Sequence, residues 1–108
     1  MSNEELNTAL YERMFDEQQK YREWLMEQPS EEILNHCYEL TVREDILTSL
    51  EYHDLTDKQC EALLSSKCPL EDIFEDFEKI ETDHMNDIQD TIERRADKVM
   101  RESSRENR

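Results

Sequence analysis

Apolar side chains in the first quarter of the chain recur at helical spacing: Leu6, Leu10, Met14, Tyr21 and Leu25, flanked by Tyr11, Phe15 and Trp24. Steps of three, four and seven residues match the α-helical turn and gather these side chains on one side. Ser2 stands three residues before Glu5, the spacing of a capping box, so the helix is predicted to start near Asn3. Gln28-Pro29 ends it, because proline disfavours helix in the residue before it. The first predicted helix covers roughly 3–27.

Ser30 is placed to cap a second helix whose first turn, Glu31 and Glu32, suits the positive end of the helix dipole. Ile33, Leu34, Cys37 and Tyr38 form its apolar face. Thr41-Val-Arg-Glu44 repeats the capping-box pattern, so a kink at Thr41 and an uninterrupted helix through Ile46, Leu47 and Leu50 fit equally well. Thr56 and Gln59 mark a fresh start, with Leu55 as a staple and Cys60, Leu63 and Leu64 facing inward. Ser65 to Pro69 is a break, and Pro69 suits a helix start because its missing N–H costs nothing there. From Leu70 the spacing Ile73, Phe77, Ile80, His84, Ile88, Ile92, Ala96, Val99 runs without a breaker. It predicts about 30 helical residues, about 45 Å long, with Ile73, Phe77 and Ile80 toward the core. Three shorter helices cannot cover that length, so the far end is expected to bury its stripe against a second copy, making a homodimer. The expected architecture is an all-α, small helical domain of four to five helices with a long C-terminal helix. A single domain is assigned to 1–100 and a frayed polar tail to 101–108.

Composition agrees with an all-helical reading. The 108 residues include no glycine and two prolines, which removes the residues that tight hairpins and phosphate-cradling loops depend on. Asp and Glu number 29 against 13 Lys and Arg, a net charge of −16. Such a surface repels phosphates, so direct binding to nucleic acid or to an anionic membrane is not expected. The charge is also segregated: from Glu93 to Arg108 six bases face four acids, while the rest of the chain is strongly acidic. Three cysteines without CxxC spacing and no apolar run long enough for a signal peptide or membrane span point to a reducing cytoplasm.

Candidate chemistry concentrates in residues 71–90, where nine acids accompany the single base Lys79. Asp72, Asp76, Asp83, Asp87 and Asp90 project within about 60° of one another at 3.6 residues per turn, with Glu75 beside them. One charge per roughly 3.3 Å of helix axis approaches the roughly 3.4 Å per phosphate of a DNA strand. Asp72, Glu75, Asp76, Asp83, Asp87 and Asp90 are therefore the candidate partner-binding residues, beside the plain alternative of a solvated face. Glu81 and His84 have the Glu-x-x-His spacing of metal-binding bundles, but a single copy leaves the coordination sphere incomplete. His36, Cys37, His53, Cys60 and Cys68 could be assembled into a zinc site only without the usual paired spacing. No nucleophile with an adjacent base, no oxyanion or phosphate loop and no arginine cluster is present, so neither a cofactor nor a catalytic residue is expected.

Leu10-Tyr11-Glu12-Arg13-Met14-Phe15, Pro29-Ser30-Glu31-Glu32-Ile33-Leu34-Asn35-His36, Thr41-Val42-Arg43-Glu44-Asp45-Ile46-Leu47, Ala62-Leu63-Leu64 and Pro69-Leu70 together resemble one known family. It is an uncharacterised family of short acidic proteins, classed only as a domain of unknown function and encoded on mobile elements of gut bacteria. The resemblance spans most of residues 4–92. It carries over no catalytic or binding residue. What it implies is a genomic setting in which small acidic proteins disable host nucleases, as anti-CRISPR proteins and other DNA mimics of similar size and charge do. The expected function is stoichiometric inhibition of a basic nucleic-acid-binding protein, such as a CRISPR effector, by an acidic helix face. The competing expectations are a helical protein–protein adaptor and, third, a metal-dependent hydrolase built around Glu81 and His84.

Overall fold

The computed structural model describes residues 1–80 and 82–106, including the side chains of all of these except 82–84 and 106. The described residues form five α-helices and no strand: α1 Asn3–Met26, α2 Ser30–Tyr52, α3 Asp57–Leu64, α4 Pro69–Ile80 and α5 Thr82–Glu106. The all-α class is as the periodicity predicts. The run expected from Leu70 to Val99 is carried by α4 and α5, and residue 81 between them lies outside the described residues. α5 continues past the expected 100/101 boundary to Glu106.

The chain divides into two units, Met1–Asp76 and Phe77–Arg108, where a single domain over 1–100 is expected from the sequence. In the first unit α1 is the hub, packing against both α2 and α3. Leu6, Leu10 and Met14, one helical turn apart, meet Leu47 of α2, Cys60 of α3 and Leu70 of α4 in one cluster. Tyr11, Ile46, Leu50, Leu55, Leu63, Leu64 and Ile73 close around it. The next place in the Leu6–Leu10–Met14 series falls on Gln18, which is fully buried.

Three sequence-predicted caps can be compared with the structure. Ser2 Oγ accepts the Glu5 N–H at 3.2 Å and donates to the Glu5 carboxylate at 3.2 Å. Thr56 and Gln59 make the full reciprocal box, with Gln59 N–H to Thr56 Oγ1 at 3.2 Å and Thr56 N–H to Gln59 Oε1 at 2.9 Å. Ser30, expected as a cap, is instead the first helical residue of α2, and the cap position belongs to Pro29, which offers no side-chain hydrogen bond. Proline's fixed φ, here −59°, sets up the helix entry one residue earlier than the serine would. α2 runs uninterrupted through Thr41, whose hydroxyl turns back to donate to the Cys37 carbonyl at 3.0 Å and does not cap a new helix.

With no glycine in the chain, no residue stands at positive φ among the described residues, and none of the helix ends described there closes with a left-handed cap. Side chains of α1 do that work. Arg13 donates to the carbonyls of Leu64 at 2.8 Å and Ser66 at 2.6 Å, closing the end of α3. Glu17 accepts the Leu70 N–H at 3.0 Å and the Glu71 N–H at 2.9 Å, one on each carboxylate oxygen, closing the start of α4. Asn7 pairs in both directions with Leu55, accepting its N–H at 2.9 Å and donating to its carbonyl at 3.0 Å.

In α4 the buried residues are Pro69, Leu70 and Phe74, and the sequence-based choices of Phe77 and Ile80 are corrected, both being exposed. Phe77 shares the arc of Ile73, but the first unit ends at Asp76 and Phe77 is 43% exposed. Phe74 is 5% exposed. Phe74→Ala should therefore cost about 3–5 kcal/mol in urea denaturation of the full chain, while Phe77→Ala should cost less than about 1 kcal/mol. Equal losses from the two variants would contradict this assignment of the core.

Candidate functional site

The acidic set divides between the two units. Asp72, Glu75 and Asp76 lie on α4 in the first unit, and Asp87 and Asp90 lie on α5 in the second. All five are exposed. The side chain of Asp83 lies outside the described residues, as do those of Glu81 and His84. Glu71 and Asp72 occupy the first turn of α4, where the positive end of the helix dipole favours carboxylates. Asp72 also has a structural partner, because its Oδ2 accepts the Ser66 hydroxyl proton while Ser66 Oγ accepts the Cys68 N–H at 3.1 Å. Glu75 carries no comparable duty in the loop. The exposed carboxylates of α4 and α5 can meet a cationic surface, and no proton-transfer chemistry follows from their positions.

The zinc candidates are not brought together. His36 packs edge-on against the Trp24 ring at 5.5 Å and lies 3.5 Å from Glu32. His53 ends the same helix about 25 Å further along its axis, and Cys37 is exposed. Cys60 is buried in the core, where burial first, and then the charges of Asp57, Asp54 and Glu61, push its thiol above the usual range. That is the inert state of a cysteine. Among the described residues a different group gathers possible ligand atoms: Glu17, Cys68 and Glu71, within 4.8 Å of one another. Both Glu17 oxygens already hold backbone N–H groups of α4, so the arrangement is accounted for as a helix cap.

Sequence reasoning missed a buried polar cluster between α1 and α2. Arg43 is 4% exposed, with its guanidinium 4.1 Å above the Tyr21 ring and its Nε donating to Glu39 at 3.2 Å. Gln18 donates to the Leu40 carbonyl at 3.3 Å and to Glu44 at 3.1 Å. The Tyr21 hydroxyl is buried without a hydrogen bond of normal geometry. Burial, and then the nearby Glu39 carboxylate, push its ionisation far above the ordinary tyrosine range. The available signal was an arginine between Val42 and the apolar pair Ile46-Leu47, on a helix with no other reason to hide a charge. The cluster orients α1 on α2.

These features define the class: a small, acidic, all-α protein whose buried polar groups serve its own helix ends and packing. Over residues 6–100 the chain matches a family described as proteins of unknown function, DUF3848, and it belongs to that family. No curated protein and no solved structure matches it.

Two measurements check these assignments. Glu17→Ala should lower stability by about 1–2 kcal/mol through loss of the α4 cap, while a chelator should leave the melting temperature of the natural sequence unchanged. A chelator effect equal to that of the mutation would restore the metal reading. Tyr21 binds its proton more tightly folded than unfolded, so its contribution is complete below about pH 10 and is lost as pH rises further. Tyr21→Phe should match or exceed the natural protein in stability at neutral pH, because it removes an unpaired buried hydroxyl. It should also flatten the alkaline decline in a pH series of thermal melts.

Proposed function

We propose that this protein acts by binding and not by catalysis, presenting exposed carboxylates to the basic surface of a nucleic-acid-binding protein and competing there with nucleic acid. The observation that carries the reading is the exposure of Asp72, Glu75 and Asp76 on α4 and of Asp87 and Asp90 on α5, in a chain of net charge −16. Asp83 completes the proposed set. At cellular ionic strength charges act over about 8 Å, so carboxylates spaced a helical turn apart reinforce one another at a cationic channel. The resemblance to proteins of mobile elements in gut bacteria directs the proposal toward host-defence nucleases in the cytoplasm, a CRISPR effector among them. Among the described residues no helix is long and apolar enough to cross a membrane.

A second reading has its own observation. α5 keeps Met85, Ile88, Ile92, Val99 and Met100 exposed, as an adaptor that recruits a partner helix would. Salt separates the two, since carboxylate docking weakens with ionic strength and apolar docking does not. The test uses the immobilised full chain to capture proteins from a bacterial lysate, followed by elution with added double-stranded DNA and then with raised salt. Mimicry predicts release by both, and at least tenfold weaker retention by the combined variant Glu75→Gln, Asp87→Asn, Asp90→Asn, which leaves the Asp72–Ser66 contact intact. Retention that survives DNA, salt and neutralisation would replace mimicry with the adaptor.

A further inference from the structure

α5 has 25 residues, and none of those whose side chains are described is buried. An isolated helix is marginal in water, and helical stability in proteins normally comes from burying an amphipathic face. Such a face is present. At about 100° per residue, Met85, Ile88, Ile92, Ala96, Val99 and Ser103 fall within about 80° of one another, and the four large ones among them are between 40% and 66% exposed. The stripe also has the relief of a helix–helix contact. A shallow apolar depression is lined by Ile92, Arg95, Ala96 and Val99, with Thr91 and Met100 at its edge. Positions i, i+3, i+4 and i+7 are the four corners of the hole that receives a side-chain knob from a facing helix. A second depression, one turn earlier, is lined by Asp87, Ile88, Thr91 and Ile92. Ala96, the small residue in the middle, lets a second backbone approach closely.

The charges beside the stripe identify the occupant. On one flank stand Asp90, Glu93 and Asp97; on the other stand Arg95, Lys98 and Arg105, with Asp87 and Glu102 the acids among them. In a parallel pair of identical helices each flank meets the opposite flank of its partner, whereas in an antiparallel pair each flank meets itself. Parallel pairing therefore sets the acidic flank against the basic one, and antiparallel pairing sets three carboxylates against three. The second half of α5 is also where two copies of a −16 chain can approach with least repulsion, because Arg94, Arg95, Lys98, Arg101 and Arg105 offset its acids. We infer that α5 is a self-association helix, pairing in parallel with α5 of a second copy through the Met85–Ser103 stripe. This does not rest on the inhibitory reading, and it leaves the adaptor without its apolar surface.

The test uses the full chain. Light scattering at tens of micromolar should give a dimer, and Ile92→Lys should give a monomer whose Trp24 fluorescence, reporting on the first unit, is unchanged. Orientation is read by disulfide trapping in a Cys37→Ser, Cys68→Ser background. Ser103→Cys, on the stripe, should form a covalent dimer on oxidation, while Arg94→Cys, on the back of the helix, should not. A strict monomer, or a dimer that Ile92→Lys leaves intact, overturns the inference. A dimer that Ser103→Cys fails to trap overturns the parallel arrangement.

Discussion

A helical protein must end its helices, and this one does so without glycine. Each helix end leaves backbone donors or acceptors without partners, and the usual economical solution is a glycine in the left-handed conformation. Here that solution is absent, and the ends near residues 55, 64 and 70 are closed by Asn7, Arg13 and Glu17 of α1. The same helix supplies the middle of the apolar core through Leu6, Leu10 and Met14. One face of α1 thus holds α2, α3 and α4 by burial, and its edges hold the loops between them by hydrogen bonds. The remainder of the first unit is arranged around that single element.

The hydrogen bonds that close the helix ends and pack α1 on α2 fall mostly on residues outside the candidate acidic set. The buried Gln18 amide N–H groups and the Arg43 guanidinium find their partners between α1 and α2, while Gln18 Oε1 and the Tyr21 hydroxyl are buried without one, all on elements other than those that carry the candidate acidic set. Asp72 is the exception, since it joins the α3–α4 loop through Ser66. A protein of this charge spends stability on self-repulsion. Neighbouring carboxylates a turn apart on α4 add a few tenths of a kcal/mol per pair. The proposed binding role gives that cost a purpose, because the repulsion is relieved when a cationic surface arrives.

What was legible in the sequence was whatever is decided within a few residues. The Thr56–Gln59 box, the start of α1 at Ser2, the break before Pro69 and the exposure of the acids on α4 follow from local spacing and local chemistry. Ser30 failed because its neighbour Pro29 competes for the same role through backbone geometry alone. Whatever depends on residues about fifty positions apart was not legible: nothing local in Glu17 or Arg13 says that it will close a distant helix. Phe77 and Phe74 illustrate the remaining limit. Both fall near the inward arc of α4, and the choice between them depends on where the first unit stops, which a periodic pattern does not encode. For the candidate site, the exposure of Asp72, Glu75, Asp76, Asp87 and Asp90 could be read in advance, whereas their division between two units could not.

The pairing of α1 with loops so far along the chain also bears on synthesis. α1 leaves the ribosome ahead of α2, α3 and α4, yet Arg13 and Glu17 find their partners only when Leu64 to Glu71 have followed. At about 5–20 residues per second, that is a wait of roughly 3–11 s. During that interval Leu6, Leu10 and Met14 stand uncovered on an emerging helix. The acids of α1, six against three bases over Asn3–Met26, give the emerging segment a net negative charge that holds nascent chains apart.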